Sequence, residues 1–221
     1  SIAGRVFTAQ IGPSGLDSSF QPLLARNKIG YWCPPGNSLT VPGVLGFTAP
    51  TYTGFTATGR NVATTNLFTR MRRLGYVTAA AAGTVGQWRQ GVVQYTIADG
   101  AGLGGFTYIV RFGISDAEEV SDARMFVGVR SFVTPTNVEP STLTNCIGVG
   151  HGEADTNFEI FFGGSSAQTP GDLGANFPSN TRSVDMYELA LFAPVDAQEI
   201  RWQVTRLNTG HVETGTASGT V

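Results

Sequence analysis

Four polar side chains spaced two apart are the first candidates for chemistry in this sequence. The segment from His151 to Glu159, HGEADTNFE, puts Glu153, Asp155, Asn157 and Glu159 at alternate positions. On a continuous strand alternate residues share a face. The spacing therefore predicts three carboxyls and an amide in one row. A retaining glycosidase works with two carboxyls about 5 Å apart, one as nucleophile and one as acid. The bland reading is a turn at Gly150–Asp155 followed by a strand with a solvated polar face. That reading is the expectation, so no catalytic residue is assigned. A glycoside hydrolase using Glu153 and Glu159 is the alternative.

Binding chemistry has other candidates. Sugars are held by aromatic rings against their apolar faces, with polar neighbours fixing the orientation. Trp88 stands among Gly86, Gln87, Arg89 and Gln90, a polar and turn-rich context. Tyr31 and Trp32 precede Cys33, Pro34 and Pro35. Arg70, Arg72 and Arg73 form a short basic cluster, and a guanidinium matches a carboxylate in two-pronged fashion. Trp88, Arg89, Trp32, Tyr31, Arg70 and Arg72 are thus the candidate ligand-binding residues. For the aromatics the competing reading is core or subunit interface. For the arginines it is a solvated edge or an ion pair between subunits. Trp202 alternates with polar residues and reads as core.

Several chemistries are excluded as expectations. The chain has two cysteines, Cys33 and Cys146, and two histidines, His151 and His211. There is no CxxC pair, no EF-hand loop and no clustered soft ligand set, so neither a metal nor a cofactor is expected. The alternative is a calcium site built from loop oxygens, which Asp155 and Asp172 could begin. Both cysteines read as small core hydrophobes. GLGG at 102–105 and GVGHG at 148–152 lack the Lys-Ser/Thr of a phosphate loop and read as β turns. Ser14, Ser18 and Ser19 are in no GxSxG elbow. The net charge is −2, and the only basic patch is the one at 70–73. Nucleic acid and anionic membrane are poor partners for such a chain. No apolar run approaches the 18 residues of a membrane span. SIAGRVFTAQ at the start lacks the basic residues and apolar run of a signal peptide.

The elements that must position these residues are strands. Of the 221 residues 41% are hydrophobic and 14% charged. A surface of Thr, Ser, Asn and Gly around one large core fits that balance. Residues 105–115 alternate cleanly, with Phe106, Tyr108, Val110, Phe112 and Ile114 on one face. Further strands are expected at 92–97, 124–133, 157–162, 184–192 and 199–207. In the last, Ile200, Trp202 and Val204 point one way. Glycine pairs at 104–105 and 163–164, Asp99-Gly100, Gly171, and 208–210 punctuate them as turns. A single helical turn is expected at 115–119, capped by Ser115. Short strands between regular turns predict a sandwich or barrel. Residues 1–50 differ. Pro13, Pro22, Pro34, Pro35, Pro42 and Pro50 leave room for one short helix at 21–28 and short strands near 39–44.

Five segments together resemble the C-terminal receptor-binding, lectin-like heads of tailed-bacteriophage tail fibre and tailspike proteins. They are QPLLARNKIGYWCPPGNS (21–38), RMRRLGYVTAAAAGTVGQWR (70–89), DTNFEIFF (155–162), DLGANFP (172–178), and DMYELALFAP with RWQVTRLNTG (185–194, 201–210). The likeness covers most of the chain and is one of texture and order. It implies an all-β, jelly-roll β-sandwich of the concanavalin type over 46–221. It implies that 1–45 is a proline-rich neck that joins an upstream fibre segment. It further implies a homotrimer on the virion whose head contacts host surface polysaccharide. It transfers no functional residue. A module that only trimerises or joins virion parts is the second reading, and a polysaccharide-degrading enzyme the third. The acids themselves argue against the third: their order, ExDxxxE, departs from the ExDxxE and ExDxE strands of laminarinase-like jelly-roll hydrolases.

Overall fold

The computed structural model describes residues 51–65, 73–89, 97, 103–116, 120–131, 134, 136–179 and 183–218. The expected neck, the helix at 21–28 and the strands at 39–44 lie outside these. So do nearly all of the strand expected at 92–97 and residues 117–119 of the expected helical turn.

The described residues form an all-β fold. In chain order its strands are β1 (Thr51–Thr53), β2 (Phe55–Arg60), β3 (Arg73–Thr78), β4 (Gln87–Arg89), β5 (Gly104–Phe112) and β6 (Met125–Arg130). They continue with β7 (Cys146–His151), β8 (Glu159–Gly163), β9 (Gly171–Asp172), β10 (Tyr187–Val195), β11 (Glu199–Arg206) and β12 (His211–Ser218). One antiparallel sheet has the order β12-β11-β10-β5, and a second has β6-β7-β8-β9. Two small pairs, β1 with β4 and β2 with β3, stand before them in sequence.

The two larger sheets share one core, which is the arrangement of a β-sandwich. Leu189, Leu191, Ile200 and Val204 from the first sheet join Ile147, Val149 and Ile160 from the second, with Phe158 between strands. Each such side chain, fully withdrawn from water, contributes about 1.5–3 kcal/mol. The alternation expected in β5 is present: Phe106 is buried, Tyr108, Val110 and Phe112 pack on the core, and Ile109 on the opposite face is 58% exposed. Trp202 packs on the same core, as its spacing required. Phe112, Phe158 and Tyr187 meet there as rings, with centroids 4.7 to 5.8 Å apart. Cys146 is a buried free thiol, as expected of a small core residue. Burial pushes its pKa up to about 11, against the pull of Arg130.

Several turn assignments are corrected. GVGHG is not a β turn: residues 148–151 lie in β7, which is buried along its whole length. Both faces are covered, so there is no alternation to read. One face meets the core. On the other, Phe161 of the adjacent strand is only 2% exposed, and the 3-10 turn Pro140–Thr142 lies against β8. The glycines of β7 allow close approach rather than reversal. A Cβ on Gly150 would collide with the Met125 carbonyl of β6. Gly104 and Gly105 open β5, with φ of +71° and +73°, instead of turning between strands. Gly171 lies in β9. The turn after Leu207 stands as expected, closed by Gly210 at φ +78°. The strand β12 that comes next was not foreseen, because its eight residues carry only Val212 and Ala217 as apolar side chains.

A buried polar network ties the start of β10 to the end of β11. Asp185, 1% exposed, receives Arg206 at 2.8 Å and the Asn208 side-chain amide. The Tyr187 hydroxyl donates to the Pro178 carbonyl at 2.8 Å and lies 3.4 Å from the Asp185 carboxylate.

Candidate functional site

The acidic segment does not run as one strand. Glu153 and Ala154 form a turn, Asn157 makes an isolated bridge with Pro178, and regular pairing begins at Glu159. This follows the expected order of a turn and then a strand, with the turn at Glu153 and Ala154, and the face that a continuous strand would have shared among 153, 155, 157 and 159 does not form. Glu153 is drawn away by Arg124, whose guanidinium holds both Glu139 and Glu153 and donates to Asn137 at 3.2 Å. The contact with Glu139 raises the Arg124 pKa, and the carboxylates around it add to that.

Glu159 enters a different group. It sits opposite Asp172 of β9 and, on its other side, opposite Gly150 of β7, which faces Phe126 of β6. Directly opposed residues share a sheet face. Val127, Val149 and Ile160 point to the core, so Phe126, Gly150, Glu159 and Asp172 form a row on the outer face. The Phe126 ring leans over Gly148, where a Cβ would meet it. Asp155, from the β7–β8 turn, lies close enough to Glu159 to raise its pKa. The Asp155 carboxylate also accepts the Gly152 N–H at 2.6 Å, and its carbonyl accepts the Ser179 hydroxyl at 2.8 Å. Asp172 accepts the Gly174 N–H at 2.7 Å and lies 3.5 Å from the Asn157 amide. Desolvation first, then Asp155, then Asp172, push the Glu159 carboxyl up to about 7. Glu159 thus meets Asp155 and Asp172, while Glu153 is held by Arg124.

A second candidate lies on the small sheets. Trp88 occupies the middle of β4, opposite Tyr52, and is 38% exposed. Gln87 and Arg89 face the other way and are half-buried; among the described residues Gln87 Oε1 and Arg89 Nε are withdrawn from water without a hydrogen-bond partner. Just before Trp88 the chain borders an open cleft of about 620 Å³ lined by Phe55, Val77, Thr78, Thr84 and Val85, among others. Gly86 packs against Phe55 and Thr78 of that lining. Gly86 and Gln87 lie between the cleft lining and the indole in the chain. In the neighbouring pair β2–β3, Arg60 stands opposite Arg73. Burial first, and then Arg60, lower the Arg73 pKa. Tyr31, Trp32, Arg70 and Arg72 lie outside the described residues.

Sequence reasoning paired Asp172 with Asp155 only as loop oxygens from which a calcium site could begin, and it missed Arg124 and Arg60. Asp172 reaches the row through a strand of two residues, too short to show a period. Arg124 and Arg60 gain their roles from partners 12 or more residues away. Among the described residues no group of three or more His, Cys, Asp or Glu side chains is arranged to hold a metal ion. No helix among them is long and apolar enough to cross a membrane. No protein-family model, no curated protein and no solved structure matches this chain.

Proposed function

We propose that this chain is the receptor-binding head of a tailed-phage fibre, a jelly-roll β-sandwich that holds host surface polysaccharide, with residues 1–45 as its neck. The observation that carries the reading is Trp88. A large aromatic ring, exposed on a short strand that follows an open cleft in the chain, is what a sugar face requires. Such a site is shallow and weak by itself. Repeated in a homotrimer, it gains avidity through effective concentration. The test is adsorption. Free protein should block phage attachment to host cells, and removal of surface polysaccharide should abolish its binding. Trp88→Ala should lose that binding while keeping its far-UV circular dichroism. Full binding by Trp88→Ala would move the site elsewhere, and no binding to any host surface would end the reading.

A second reading has its own support. β12 is an eight-residue strand with one ladder neighbour among the described residues, and nearly all of it is exposed. Open edges pair with other chains, and this one has neither proline nor lysine to prevent it, with Glu213 as its only acid. A module that joins virion subunits without touching a receptor would use such an edge. It would assemble normally and leave attachment unaffected.

A further inference from the structure

The net charge of −2 averages over two unlike parts of the chain. Its 16 acidic residues are Asp17 and others from Asp99 onward, so residues 18–98 contain no carboxyl side chain. The same stretch holds Arg26, Lys28, Arg60, Arg70, Arg72, Arg73 and Arg89. The small sheets β1–β4 lie within it, and the acidic residues belong to the part of the chain that builds the sandwich. A surface with charges of one sign draws in ligands of the other.

Geometry adds to composition at one place. Arg60 ends β2, Arg73 opens β3, and the two are directly opposed. Like charges at such a position weaken a strand pair. Both side chains are nevertheless held there. Arg60 lies back over Gly75, where a Cβ would come within 2.8 Å of its Nε. Arg73 Nη1 donates to the Asn61 carbonyl at 3.3 Å. Arg60 is exposed, and among the described residues no carboxylate pairs with it. An anion that accepts from both guanidiniums would turn their repulsion into attraction. Each guanidinium offers a carboxylate or a phosphate two parallel donors.

The arginines also share a face with part of the cleft. Alternate residues of a strand point the same way, so Arg73, Gly75 and Val77 are in line on β3. Arg60 and Thr58 stand opposite the first two. Val77, 50% exposed, lines the cleft. From Val77 to Arg73 is about 13 Å of strand. An extended ligand seated at Val77 and laid along β3 reaches the arginine pair.

We propose that the β2–β3 ribbon is a track for an acidic polysaccharide, with Arg60 and Arg73 holding its carboxylate or phosphate groups and the cleft at Val77 receiving its sugar rings. The inference rests on the glycan reading and adds the charge of the glycan.

An array of acidic and neutral polysaccharides, probed with the purified full chain at about 50 mM and about 500 mM NaCl, tests this. The polysaccharides bound should be those with uronate or phosphate groups, and binding should weaken at least about tenfold across the salt range. Carboxyl reduction of a uronate polymer, or dephosphorylation of a phosphate-bearing one, should abolish its binding and tells the two anions apart. Arg60→Gln should weaken binding about tenfold, the worth of one charge-assisted contact. Arg60→Lys should weaken it less, and both should keep the far-UV circular dichroism of the parent. Arg111→Gln removes an arginine paired with Glu188 on the larger sheet and should leave binding unchanged. Binding to neutral polysaccharides alone overturns the inference and leaves the glycan reading standing, as does acidic binding that survives in Arg60→Gln. Binding to no polysaccharide ends both. Equal affinity for double-stranded DNA or phosphatidylserine vesicles at the same salt overturns the inference, making the ribbon a general polyanion surface. A lower mass in solution for Arg60→Glu also overturns it, making the arginines a contact between copies of the chain.

Discussion

At the scale of single residues, the acidic row shows how partners decide what a carboxyl does. Glu153 and Glu159 look equivalent on paper, yet one is neutralised by Arg124 and the other is crowded by two acids. The consequence for stability has a definite sign. In the folded chain Glu159 binds its proton up to about 7, whereas the unfolded chain releases it near the ordinary value of 4.5. The folded state therefore holds more protons between those limits. Stability from this group is complete below about 4.5 and is lost as pH rises through about 7. Urea midpoints should fall across that window, and the fall should be smaller in Glu159→Gln. Asp185 makes the opposite case, a buried acid with partners. Arg206→Ala removes its cation and should cost about 3 kcal/mol, since breaking one half of a buried pair strands the other. The Asn208 and Tyr187 contacts would remain. A loss under about 0.5 kcal/mol in urea unfolding would mean that the ion pair adds nothing.

At the scale of elements, β6 and β7 pair valines and an isoleucine on the core face and meet at glycines on the outer face. Gly128 faces Gly148, and the Met125 carbonyl occupies the place of a Gly150 side chain. Gly150→Ala must move backbone and should cost about 1–3 kcal/mol, as overpacking does. Gly171→Ala in β9 meets nothing within 4 Å and should stay within about 0.5 kcal/mol of the parent. Thermal denaturation of the two variants side by side checks this. Burial on one face or two also decides which strands are legible in the sequence. β5, β10 and β11 have one face on the core, so Phe106, Leu189 and Ile200 belong to rows that recur at period two. β7 is covered on both faces, and its glycines imitate a turn. β12 is exposed on nearly every side chain and carries no apolar period. Its place depends on β11, where Gly215 fits under the Trp202 indole. The acidic segment is recognisable by its residue types. Its geometry is not, because Asp172 and Arg124 reach it from other strands and loops.

At the scale of the whole molecule, a sandwich core of two four-stranded sheets supports a surface rich in hydroxyls and amides. Among the described residues, Trp88, the cleft before it and the edge of β12 are features that folding leaves unabsorbed. The reading as a fibre head assigns the first two to sugar and leaves the third to assembly. A glycan array probed with the purified oligomer, read together with its mass in solution, tests that assignment most directly. The expected result is a trimer that binds a restricted set of surface polysaccharides, and a Trp88→Ala trimer that binds none of them. A folded assembly that binds no glycan, or that binds equally well without Trp88, would contradict it.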